Sequence, residues 1–208
     1  MSRGSACGSA TRTRRLPRSF YERDARDVAP ELLNKVFARG ALRGRIVEVE
    51  AYVGGGVDAG SHAHRGLTQR NKTMFGPPGH LYVYFTYGMH WCANAVCGPD
   101  GVASAVLLRA LAPLQGVDAM RIARVKARRD RDLCSGPAKL CQAFAITGLD
   151  DGADLVRPPQ AGLTIVDDGT PPPASPGVSR RIGLAAGAGD DLRWRWFVPG
   201  DPNVSRAS

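Results

Sequence analysis

The chain has 208 residues, 43% of them apolar, which suits one domain with a core large enough to stand without cross-links. Its five cysteines are odd in number and contain no CxxC pair, arguing against a disulfide framework and a zinc ribbon; no apolar run approaches the roughly 18 residues of a membrane span. A net charge of +9 makes a polyanion the first candidate partner.

Residues 1–18 carry Arg3, Arg12, Arg14, Arg15 and Arg18 among Gly, Ser and Thr, with no acid, and read as a disordered basic arm. No apolar leader segment stands in it, so a reduced, cytoplasmic setting is expected. Residues 27–39 read as a helix. Asp27 caps it, Pro30 sits in its first turn, and Leu32, Leu33, Val36 and Phe37 form its stripe. Residues 45–53, 80–87, 91–97 and 102–109 read as strands, parted by glycine-containing turns. Helices follow at 116–129 and 135–146, a strand at 162–168, a proline-rich loop at 171–176 and a last strand at 193–198. Strands and helices do not alternate. The order predicts a single α+β domain over residues 19–208, a curved, mostly antiparallel and open barrel-like sheet surrounded by helices.

Side chains on a strand alternate between faces. Along 45–53 one face carries Val47, Val49, Ala51 and Val53, a core face. The other carries Glu48, Glu50 and Tyr52. That second face is either a solvated strand surface or a general base beside an aromatic wall. The strand at 80–87 places Tyr82, Tyr84 and Thr86 on one side and Leu81, Val83 and Phe85 on the other. Tyr87 precedes Gly88 at a turn, where it either closes a hairpin or stands out as a wedge. Asp58, His62 and His64 lie in the glycine-rich segment 54–66 and allow a metal-ligand reading, though no further ligand completes a set; His62 fits better as a side chain that contacts a ligand.

Four blocks carry a resemblance. They are Arg43-Gly-Arg-Ile-Val-Glu-Val-Glu-Ala-Tyr52, the run Met74–Met89, Val106-Leu-Leu-Arg-Ala-Leu-Ala-Pro113 and Asp132-Leu-Cys-Ser-Gly-Pro-Ala-Lys-Leu140. In this order, across residues 19 to 205, the chain resembles the alkyladenine (3-methyladenine) DNA glycosylases of mammals and many bacteria. The resemblance implies a monofunctional enzyme that flips a damaged purine out of duplex DNA and hydrolyses its glycosidic bond, starting base excision repair. It implies no cofactor, no metal, no membrane partner and a monomer acting on double-stranded DNA near the nucleoid.

Position by position, the resemblance makes Glu50 the base that activates water and Arg109 the side chain that helps hold it. Tyr52, His62 and Tyr84 enclose the flipped base, and Asn94 crowds the purine edge. Tyr87 enters the gap in the DNA, and Met89 leans on the neighbouring pairs. The segment Arg180-Arg181-Ile-Gly and the helix opening at Ser135–Lys139 are expected at the DNA backbone. The loop from Tyr52 to His62 is one residue longer than the mammalian pattern, which leaves His64 a rival for the pocket. A non-catalytic DNA-binding protein of the same fold is the other reading; it has no use for Glu50 with Arg109.

Overall fold

A computed structural model describes residues 13–205 of the chain. One antiparallel sheet organises it. The elements in order are β1 (Arg14–Arg15), α1 (Arg18–Tyr21), α2 (Ala25–Leu32), β2 (Val36–Arg39), β3 (Leu42–Val53), β4 (Leu81–Thr86), β5 (His90–Val96), β6 (Ser104–Gln115), α3 (Val117–Ala123), α4 (Pro137–Ala143), β7 (Leu163–Asp167), β8 (Gly177–Ser179) and β9 (Arg195–Phe197). Strand order is β1-β7-β2-β3-β6-β5-β4, and β9 pairs with both β3 and β8. The sheet curls into a half-barrel with helices around it, so the α+β expectation holds.

Most of the expected arm lies outside the described residues. Its end does not behave as an arm: Arg14 and Arg15 pair with Asp167 and Val166 of β7. The helix expected over 27–39 is shorter and starts earlier. Asp24, not Asp27, is the cap, its carboxylate accepting from the Arg26 N–H at 2.8 Å. Pro30 lies in the helix's second half, and Asn34 then turns left-handed at φ 66. Val36 to Arg39 form β2, held between Arg45 of β3 and Val166 of β7. Pairing on both edges outweighs the helix-like spacing of Leu32, Leu33, Val36 and Phe37.

β3 is the central strand, paired along its length with β6 and in its middle with β9. Ile46, Val49 and Ala51 enter the main core, which also takes Leu81 and Val83 of β4, Val106 and Leu108 of β6, Val28 and Leu32 of α2, and Leu140 and Cys141 of α4. The opposite face supports a smaller cluster of Ala63, Met74, Tyr82, Val96, Ala103 and Ala105, against which Tyr52 and Tyr84 pack. The expected face assignment of β4 is thus observed. On β3 it holds from Val49 onward; ahead of it the register slips, and Ile46 rather than Val47 joins the main cluster, although Val47 is fully buried as well.

Candidate active site

Residues directly opposite one another in a sheet point to the same face. Glu50 faces Leu107, Leu107 faces Asn94, and Asn94 faces Tyr82. One transverse row therefore carries Glu50, Leu107, Asn94 and Tyr82 across four strands, spaced by about 4.8 Å per strand. A cavity of about 330 Å³ opens above this row, lined by Leu107, Asn94 and Tyr82 together with Tyr52, His62, Tyr84 and Arg109.

Glu50 sits behind the wall of this cavity, fully buried. Its three hydrogen-bond donors all come from lining residues: the Tyr52 hydroxyl at 2.9 Å, Arg109 Nη1 at 3.1 Å and the Ile182 backbone N–H at 2.7 Å. Burial pushes the Glu50 pKa above the ordinary carboxylate value, and the Arg109 charge pulls it back. The Tyr52 phenol is held well above its usual pKa, first by burial and then by the Glu50 charge, so it remains a donor to the carboxylate.

A pair of compensating irregularities aims Arg109. Ile46 pairs with Leu111 and Glu48 with Ala110, leaving Val47 without a partner on β6; Val49 pairs with Leu108, leaving Arg109 without one on β3. An extra residue of this kind re-aims its side chain. Arg109 reaches Glu48 through Nε at 2.9 Å and Glu50 through Nη1 at 3.1 Å. Glu48 also accepts from Arg195 Nε at 2.7 Å, the Ser205 N–H at 2.6 Å and the Ser205 hydroxyl at 2.7 Å. The reading of this strand face as a solvated surface does not hold. Neither acid is solvated, and a buried carboxylate without such partners would cost several kcal/mol.

The tyrosines and His62 form the aromatic side. His62 lies edge-on to Tyr84, with ring centroids 4.4 Å apart, and its Nδ1 is 3.0 Å from the Tyr82 hydroxyl. Burial, with a smaller push from Arg70, holds its pKa below the usual imidazole value. Tyr82 and Tyr84 stand 5.5 Å apart, and burial moves the Tyr82 phenol up to about 12. His62 lines this cavity and stands between it and an adjoining, more open depression; His64 lines only that depression, with Arg65 and Thr68. Asn94 is buried, its Nδ2 donating to the Tyr82 carbonyl at 3.0 Å.

At the β4–β5 tip, Tyr87 and Gly88 both take positive φ, 50 and 65, and the Met89 N–H donates to the Thr86 carbonyl at 3.2 Å. A bulky residue in this region is uncommon. Tyr87 is 80% exposed and Met89 66%, so both project into solvent beside the cavity mouth, which Tyr87 lines. Lys139 is half-buried on α4, its Nζ 3.3 Å from the Ser135 hydroxyl, next to the cavity-lining Pro137 and Ala138.

Arg180 is exposed, but the expectation of Arg181 at the DNA backbone is corrected. Its side chain is fully buried and gripped by Asp58 through Nη1 and Nη2, each at 2.6 Å, so it is not free to meet a phosphate. It also lies 4.4 Å from the Tyr52 ring centroid. The same bonds occupy Asp58, which does not join His62 and His64 in a shared site. Among the described residues no group of three or more His, Cys, Asp and Glu is placed to hold a metal.

Sequence reasoning does not single out Glu48, Tyr82 or the Ile182 N–H as site residues, and it offers Asp58 only as a possible metal ligand. For Glu48 a signal existed: Arg109 is a lone cation in the apolar run 105–111, and a buried arginine needs a buried acid. The Asp58–Arg181 pair spans 123 positions and leaves no local pattern.

Comparison with known proteins identifies relatives along nearly the whole chain. Residues 19–202 match the family described as methylpurine-DNA glycosylase. A protein of Burkholderia lata named "Putative 3-methyladenine DNA glycosylase" is 60% identical over 191 residues, covering 91% of this chain and 90% of its own. Proteins of the same name from Streptomyces avermitilis and Agrobacterium fabrum are each 48% identical over 195 residues, covering 91% and 92% of this chain and 90% and 92% of theirs.

Proposed function

The chain belongs to the methylpurine-DNA glycosylase family, and on that footing we propose that it is a monofunctional enzyme that removes alkylated or deaminated purines, of the 3-methyladenine and hypoxanthine class, from duplex DNA. A base within the stack cannot be reached, so it is extruded at a cost of a few kcal/mol. Tyr87, with Met89 beside it, fills the gap. The base enters the cavity between Tyr52, Tyr84 and His62, where aromatic stacking worth about 1–3 kcal/mol offsets the extrusion. Asn94 crowds the purine edge. Arg180 and Lys139 hold backbone phosphates.

Water held by Glu50 and Arg109 then attacks C1′ of the deoxyribose. The water oxygen bonds to carbon, the C1′–N bond breaks, and its electron pair leaves with the base. The water proton goes to Glu50, whose raised pKa suits it to a base's task. No cofactor or metal takes part. Among the described residues no lysine lines the cavity, which favours water over an amine nucleophile and so a reaction without strand cleavage. The enzyme acts as a monomer in the cytoplasm.

The observation that carries this reading is the buried Glu50–Arg109 pair, 3.1 Å apart, at the back of an aromatic cavity beneath an exposed tyrosine tip. The test uses duplexes with one hypoxanthine or one 3-methyladenine. Alkali-labile abasic sites are expected, without a borohydride-trapped protein adduct. Intact strands after alkali would refute the activity, and a trapped adduct would refute the water mechanism.

A further inference from the structure

Two tyrosines serve as platforms for the base, and each already has an arginine over its ring. Arg181 lies 4.4 Å from the Tyr52 centroid, and Asp58 neutralises it through two contacts of 2.6 Å. Arg70 lies 5.7 Å from the Tyr84 centroid. It differs from Arg181 in being exposed, with Nη2 donating to the Phe85 carbonyl at 3.0 Å. Among the described residues no carboxylate forms an ion pair with it. Its charge is felt inside the site: it pushes the His62 and Tyr82 pKa values downward, against burial in the case of Tyr82.

A guanidinium on an aromatic face uses the same negative ring density that attracts any other cation. A purine alkylated at a ring nitrogen carries positive charge in the nucleotide; hypoxanthine and ethenoadenine do not. We propose that Arg70 is a specificity-determining residue that discriminates lesions by charge, disfavouring cationic purines relative to neutral ones by covering Tyr84 and placing an uncompensated cation beside the pocket. This rests on the glycosylase reading above. It differs from a phosphate-gripping role for Arg70, which would act on every lesion alike.

The test compares Arg70→Gln with the wild type under single-turnover conditions on two substrates. One is duplex carrying a 7-methylguanine or 3-methyladenine, and the other is the same sequence carrying hypoxanthine. The ratio of cationic to neutral release should rise about 2–5-fold in the variant, the range of one exposed cation–aromatic contact. Arg70→Lys retains the charge and should stay near the wild-type ratio. Equal changes on both substrates, or a ratio that falls, would overturn the inference while leaving the enzyme a glycosylase. Release of neither base by the wild type would instead refute the glycosylase reading, and this inference with it.

Discussion

Asp58 accepts from both terminal guanidinium nitrogens of Arg181 at 2.6 Å, and the next residue, Ile182, places its N–H 2.7 Å from Glu50. The pair thus joins the glycine-rich loop to the segment that completes the hydrogen bonds of Glu50. Both side chains are fully buried, so removing one leaves the other uncompensated.

Asp58→Ala is therefore expected to destabilise the protein by about 3–5 kcal/mol. At about 2–4 °C per kcal/mol for a chain of this size, Tm should fall by at least ~6 °C. Thermal unfolding measures it. A shift below about 2 °C would show that the pair holds nothing in place.

Glu50 links activity and stability to pH with opposite signs. Its carboxylate must be ionised to take a proton, so the rate should fall on the acid side with a midpoint above the usual carboxylate value. For stability, a raised pKa means that the folded state binds the proton more tightly than the unfolded chain. Stability from this group falls as pH rises from the ordinary carboxylate pKa through the folded value, and stays at the lower level above it. Tm profiles of wild type and Glu50→Gln should thus diverge in that window, the variant gaining on the wild type as pH rises. Parallel profiles would mean that burial of this carboxylate carries no such cost.

Tyr87 is exposed and held at positive φ, so its loss should spare the fold and weaken extrusion. Tyr87→Ala is expected to lower the single-turnover rate on duplex about tenfold, corresponding to about 1.4 kcal/mol. An unchanged rate would remove the wedge role.

The sequence showed the parts of the site that lie on one strand. Period-two reading put Glu50 with Tyr52 and Tyr82 with Tyr84, and both pairs line or back the cavity. It did not show that Glu48 is buried, because alternation distinguishes faces and cannot tell that Arg109, Arg195 and Ser205 close over this one. Nor did it show the register slip that aims Arg109, since a bulge is a relation between two strands. β2 was missed for the same reason: the spacing of Val36 and Phe37 fits a helix, and only their partners on β3 and β7 decide otherwise.

Glu50 is expected to activate water behind an aromatic pocket. The most direct measurement is hypoxanthine release by Glu50→Gln in a single turnover, alongside its affinity for the same duplex. Release should fall by about 10²–10⁴-fold, the usual contribution of a general base, while affinity stays close to that of the wild type. Release at the wild-type rate by a variant that binds normally would exclude Glu50 as the base.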